Sequence, residues 1–225
     1  MEELTTIQKV AVMALPIVFA IVLHEVAHGW VANRLGDPTA RLAGRLTLNP
    51  LSHIDLFGTI LMPLALFLLT NGRMVFGYAK PVPINPQYFK DPKKGMALSA
   101  LAGPGVNLVM AIALSLFLRG VLAGLEGKVP EQIWTWCAVP LAYMCAYGIM
   151  MNVVLGVLNM IPIPPLDGSR VVYWLLPPRQ AYAYYRLEPY GTIILMALIM
   201  FGVLGKIMGP LITPILNLLL GNGGL

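Results

Sequence analysis

The sequence predicts an all-α polytopic membrane protein: a helical core with a short membrane-associated re-entrant or β segment between the first helix and a later helix that opens on Ala-Gly-Pro. Three observations predict it. Of the 225 residues, 58% are hydrophobic and 11% charged, less than half the charged share of an ordinary soluble domain, and the mean hydropathy is +0.76. The apolar residues gather in runs, several near the roughly 20 residues that a helix needs to cross a bilayer. The weak alternation of barrel strands is nowhere visible, which leaves helices to satisfy the backbone inside lipid. The length suits one integral membrane domain over residues 1–225 and leaves no room for a sizeable soluble one.

The first run, Ile7–Ala32, reads as a spanning helix over about 7–32. It lacks the positive start and small-residue cleavage site of a signal peptide and is expected to remain in place. The second, Ile54–Thr70, is short and holds Pro63. With its surroundings, about 34–94, it is expected to dip into the bilayer and return on the same side. "GRLTLNP" (Gly44–Pro50) and "FGYAKPVPIN" (Phe76–Asn85) are rich in Gly, Pro and β-branched residues and read as short strands or extended loops. Core spans follow at about 96–118 and 134–168, then C-terminal helices over about 190–220, with the crossing of Leu211–Leu220 left open. Cys137 and Cys145 lack the spacing of a metal or redox motif and read as core packing.

Charge orders these elements. Arg34, Arg41, Arg45, Arg73, Lys80, Lys90, Lys93 and Lys94 flank the short run against only Asp37 and Asp91, with Asp55 just beyond, whereas Arg119, Glu126, Lys128 and Glu131 cancel in the next loop. The positive-inside rule then sets the N-terminus outside, Arg34–Lys94 in the cytoplasm and Arg119–Gln132 outside. The net charge of +5 reads as this loop bias, and no nucleic-acid partner is expected. Short loops and no targeting peptide suggest a prokaryotic plasma (inner) membrane.

Inside the first run, "IVLHEVAHGWVANRL" (Ile21–Leu35) sets His24, Glu25 and His28 among apolar residues. Unpaired polar groups are costly in hydrocarbon, so something must compensate them. HExxH on a helix puts two imidazoles one turn apart on one face, within reach of a single zinc ion. Glu25, next to the first ligand, is placed to take a proton from a water that the metal activates. A catalytic zinc usually has three protein ligands, and Asp167 is the best third candidate. It ends "NMIPIPPLDGSR" (Asn159–Arg170), where Pro162, Pro164 and Pro165 break an apolar span. Irregular backbone at that depth needs a protein-lined or wet site. His53 and Asp55 suit hydrogen-bonded loop roles, while Glu131 and Glu188 read as solvated charges. By topology the first helix and the 134–168 span run the same way, which brings Asp167 to the depth of the histidines, near the cytoplasmic face.

Taken together and in order, HEVAH, "LAGPGVN" (Leu101–Asn107) and "NMIPIPPLDG" resemble the site-2 protease family of intramembrane zinc metalloproteases over about residues 20–170. The resemblance implies one zinc per chain on His24, His28 and Asp167, with Glu25 as general base. It also implies a substrate or oxyanion role for Asn159, which a helix-breaking hydrogen bond explains almost as well. Gly103, Pro104 and Asn107 match the family's helix-start motif and suit close packing rather than chemistry. The loop Arg119–Gln132 is too short for the PDZ domain of many bacterial relatives, so a compact member without a PDZ-mediated partner is expected.

The expected activity is cleavage of a transmembrane-helix protein substrate within the lipid bilayer, in regulated intramembrane proteolysis or signal-peptide-remnant clearance. The substrate segment must unwind to expose its carbonyls, and the strands at 44–50 and 76–85 are expected to pair with it. The alternative is a non-proteolytic zinc-binding membrane protein, a metal carrier or scaffold. A carrier is disfavoured by the absence of histidine from the later spans, and a structural zinc by the three-ligand set. A zinc hydrolase acting on lipid also stays open. Tyr182, Tyr184, Tyr185 and Tyr190 read as an interfacial belt.

Overall fold

The computed structural model describes residues 6–69 and 77–221, and among these the chain is helical with no strand. In chain order the main helices are α1 (Thr6–Arg34), α2 (Leu56–Leu69), α3 (Pro92–Phe117), α4 (Val139–Asn159), α5 (Asp167–Leu175), α6 (Pro178–Tyr185), α7 (Gly191–Met200) and α8 (Val203–Leu220). With their adjoining turns, Val12–Arg34, Pro92–Leu122, Glu131–Asn159 and Val203–Leu220 are long and apolar enough to cross a membrane. Local chemistry sets several ends. Asp91 caps α3 by accepting from the Lys94 N–H, with Pro92 at the first helical position. Between α7 and α8 the chain turns at Gly202, whose φ of +67° favours glycine.

Contacts between helices fix their sense. Gly148 of α4 lies against Leu114 of α3 and Pro16 of α1. Further along, Asn107 of α3 donates to the Ala20 carbonyl of α1 and to Asn152 of α4, and His28 meets the Ser99 carbonyl. Numbers climb together on α1 and α4 and fall on α3, so α1 and α4 run the same way and α3 runs against them. That sense carries the turn after α4 to the histidine level of α1. At that end Ile161 and Leu166 pack with Leu195, Leu204 and Met208. At the other end the Leu219 carbonyl of α8 accepts from the Ser115 hydroxyl, so α8 runs against α4.

The expected re-entrant or β segment is not supported. Leu56–Leu69 forms helix α2, about 21 Å long at 1.5 Å per residue, and no strand forms at Gly44–Pro50 or in the described part of Phe76–Asn85. Hydrogen bonding supplies the reason. Gly44–Pro50 is turn and bend backbone between short helical turns at Thr39–Leu42 and Pro50–His53. Beyond residue 76 the chain is extended, but its N–H groups go to helices and turns: Tyr78 to the Gly58 carbonyl, Lys80 to the His53 carbonyl, Val82 to Glu25 and Asn85 to Asp37. Pro81 and Pro83 have no N–H for a neighbouring strand. Residues 70–76 of the expected return, Arg73 and Phe76 among them, lie outside the described residues. The 134–168 span also divides: α4 stops at Asn159 and Asp167 opens a new helix.

Candidate metal centre

His24 and His28 stand one turn apart on the face of α1 that packs on α3, and both are buried. Asp167 reaches them from the first turn of α5. Its Oδ2 lies 3.2 Å from His24 Nε2 and 3.3 Å from His28 Nε2, and the two Nε2 atoms are 3.0 Å apart. Among the described residues these three form the cluster of ligand-type side chains that could hold a metal ion. A tetrahedral zinc with bonds of about 2.0–2.1 Å sets its donors about 3.3–3.4 Å apart, so the spacing suits one ion.

The outer hydrogen bonds decide which ring nitrogens carry protons. Asn107 Nδ2 donates to the Ala20 carbonyl at 3.2 Å and to Asn152 Oδ1 at 2.8 Å, and Asn152 Nδ2 donates to the Gly148 carbonyl at 2.8 Å. The Asn107 amide is thereby oriented, and its Oδ1, 2.6 Å from His24 Nδ1, must accept. His24 therefore carries its proton on Nδ1. His28 Nδ1 faces the Ser99 carbonyl at 2.7 Å, which likewise requires an N–H there. Both Nε2 lone pairs then point at a carboxylate oxygen that is itself buried without a donor. Three electron pairs converge with no proton between them, an arrangement that a cation completes. A nitrogen and carboxylate donor set with both histidines anchored from behind suits zinc.

Two glycines let the backbone come this close. A Cβ on Gly103 of α3 would stand 2.5 Å from His28 Cε1 and Nε2 and 2.6 Å from His24 Cε1. A Cβ on Gly168 would stand 2.2 Å from the Met160 carbonyl oxygen, so only glycine lets the chain fold back beneath Asp167. Glu25 is half-buried beside the cluster, and its Oε2 accepts from the Val82 N–H at 2.8 Å. In Pro81-Val82-Pro83 that is the one backbone donor. Val82 itself packs on Gly29 of α1, and the Asp37 carboxylate ties the far end of the stretch by accepting from Asn85 N–H at 2.7 Å.

Comparison with known proteins adds to this geometry. The family model for peptidase family M50 matches residues 12–202. The chain belongs to peptidase family M50. It is 33% identical over 201 residues to "Putative zinc metalloprotease YwhC" of Bacillus subtilis, covering 89% of this chain and 85% of that protein. It is 28% identical to "Putative zinc metalloprotease Rip2" of Mycolicibacterium smegmatis, covering 88% of this chain and 65% of that one. Rip2 of Mycobacterium tuberculosis H37Rv is 27% identical over 80% of this chain and 62% of its own length. The chain thus spans somewhat under two thirds of the Rip2 proteins. No solved structure matches. With four helices among the described residues long and apolar enough to cross a membrane, this M50 member is an integral membrane protein.

Within the M50 chain, the residues expected at the site fall into two groups. His24, His28 and Asp167 come together, with Glu25 at their edge. Asn159 ends α4 with its Nδ2 donating to its own helix at the Leu155 carbonyl, and no hydrogen bond joins it to the cluster. His53 bonds the Thr47 carbonyl and Asp55 caps α2 at Gly58, as loop residues do. Glu188 is not a solvated charge: it pairs with Arg170 at 2.6 Å. Sequence reasoning gave Asn107 a packing role, whereas it orients His24. It passed over Asn152 and Ser99 altogether. Asn152 had a usable signal, since it is an amide inside an apolar span and needs a partner as much as His24 does.

Proposed function

We propose that this M50 peptidase is an intramembrane zinc endopeptidase that cleaves transmembrane segments of other membrane proteins. One zinc is held by His24, His28 and Asp167, and Glu25 is the general base. The observation that carries this reading is the convergence of two unprotonated ring nitrogens and a carboxylate oxygen beside Glu25, in the membrane-spanning core. The names of YwhC and Rip2 support zinc and proteolysis. When bound, zinc polarises the scissile carbonyl and activates water near neutral pH. His24 and His28 offer Nε2 because Asn107 and Ser99 hold their Nδ1 protons. Glu25 takes a proton from the attacking water and delivers it to the departing amine nitrogen, with the Val82 N–H steadying its carboxylate. The substrate helix unwinds locally, since an intact helix keeps its carbonyls in hydrogen bonds. Asn159 is assigned to contact with that unwound stretch.

The active site is assigned to the cytoplasmic side of a prokaryotic plasma membrane. Arg34, Arg41, Lys80, Lys93 and Lys94 lie on the segments that enter and leave this end of α1 and α3, and the relatives named above are bacterial.

Zinc content and cleavage, measured together on purified protein, test the proposal. Wild type is expected to hold about one zinc per chain, and His24→Ala and Asp167→Ala to lose it. Glu25→Gln keeps the zinc and loses cleavage of transmembrane substrates by at least about 100-fold. Full activity in Glu25→Gln removes its role as base. Zinc surviving Asp167→Ala removes the third ligand. Zinc with no cleavage of any transmembrane substrate returns the protein to the carrier or scaffold reading.

A further inference from the structure

Asp167 sits at the end of a turn that holds itself poorly. Between Met160 and Asp167, Pro162, Pro164 and Pro165 have no N–H, and the internal backbone bonds include Ile163 N–H to the Ile161 carbonyl and Leu166 N–H to the Ile163 carbonyl. A metal ligand on such a turn needs support from outside, because ligand geometry must hold to a fraction of an ångström.

One stretch, Tyr184–Gly191, supplies that support at points on both sides of Asp167. The Tyr184 hydroxyl donates to the Pro162 carbonyl at 2.9 Å. Gly191 opens α7 directly against Pro164, where a Cβ would come within 1.9 Å of the Pro164 carbonyl oxygen. Past the ligand, Arg170 Nη2 donates to Glu188 Oε1 at 2.6 Å, with side chains 33% and 30% exposed. Burial of this order limits screening by salt. The second oxygen of Glu188 is buried without a partner, so the carboxylate depends on Arg170. Tyr182, Tyr185 and Tyr190 are each more than half exposed, as an interfacial belt requires, whereas Tyr184 turns inward to the turn.

We infer that Tyr184, Glu188 and Arg170 are positioning residues that hold the Asp167 carboxylate against His24 and His28. This rests on the zinc reading above. The brace lies outside the membrane-spanning helices and touches none of the ligands, so it acts through the backbone of the turn alone.

The test is the zinc dissociation constant of the detergent-purified full chain, by chelator competition, in Tyr184→Phe, Glu188→Ala, Arg170→Glu and the exchanged pair Arg170→Glu with Glu188→Arg. Ser115→Ala serves as a control that removes a buried hydrogen bond at the far end of the bundle. Tyr184→Phe and Glu188→Ala are expected to weaken zinc about tenfold, and the exchanged pair to recover most of what Arg170→Glu loses. Ser115→Ala stays at the wild-type value. In metal-free protein, amide exchange at Leu166 and Ser169 rises in the brace variants and not in the control. Unchanged zinc affinity in Tyr184→Phe and Glu188→Ala, beside a wild type that binds, overturns the inference and leaves the zinc reading standing. An exchanged pair no better than Arg170→Glu removes the ion pair from the brace. A wild type without zinc overturns both readings.

Discussion

Gly103 and Gly105 are two residues apart on α3 and face opposite surroundings. Gly103 belongs to the row Ser99, Gly103, Asn107, Ala111, which recurs every four residues and is buried against α1 and α4. Every polar group of Asn107 in that row is engaged, and the glycine has no room for a methyl group. Gly105 belongs to the face with Leu101, Pro104 and Leu108. That face borders a cavity of about 750 Å³ between α3, α4 and α8, lined by aliphatic side chains such as Val153, Val157 and Leu211. A Cβ on Gly105 would meet nothing within 4 Å. One helix thus separates a seam packed to fixed geometry from a loosely filled space. Ligand geometry needs the first and tolerates the second.

The largest expected break in this contrast is Gly103→Ala. A methyl carbon 2.5 Å from His28 Cε1 is far inside the roughly 3.5–4.0 Å at which carbons rest. Neither histidine can retreat without losing the bond that fixes its tautomer. Zinc content should fall from about one per chain to near zero, measured on purified protein. Asn107→Ala should come next. It keeps the space and removes the acceptor for His24 Nδ1–H, so zinc affinity should drop about 10–100-fold. An Asn107→Ala protein that binds zinc at the wild-type constant would show that the packing of α1 on α3, and not the amide, orients His24.

The same contrast explains what the sequence disclosed. His24, Glu25, His28 and Asp167 were legible because charged and polar side chains in apolar runs demand a partner, and the four-residue step is a helical geometry. The parallel sense of α1 and α4 was expected from charge bias together with a re-entrant Ile54–Thr70; the contacts of Asn107 and His28 show that sense, although the re-entrant segment is not supported. Asn107 was visible but underrated, since an amide beside Gly-Pro reads equally well as a helix-start group. Its role depends on Ala20 and Asn152, which are distant in sequence. The strands failed for a related reason. Gly, Pro and β-branched residues at 76–85 specify extended backbone, and they do not specify which groups take its N–H bonds. In the fold Glu25 and Asp37 take two of them. Glu188 looked solvated because its partner Arg170 lies across a turn that only tertiary structure closes.

The smallest expected effect lies on the open face and has the opposite sign. Gly105→Ala places a methyl group where nothing stands within 4 Å, so no contact opposes it. Alanine also restricts the unfolded backbone more than glycine does, a gain of about 0.5–1 kcal/mol within a helix. For a chain of this size that amounts to a rise in melting temperature of about 1–4 °C, with zinc affinity unchanged. The pair of alanine variants therefore separates packing at the ligands from packing of the helix as a whole. If Gly105→Ala also lowered zinc affinity, the cavity face would be coupled to the cluster. Asn152 is the residue through which that coupling would pass, because it borders the cavity and bonds Asn107.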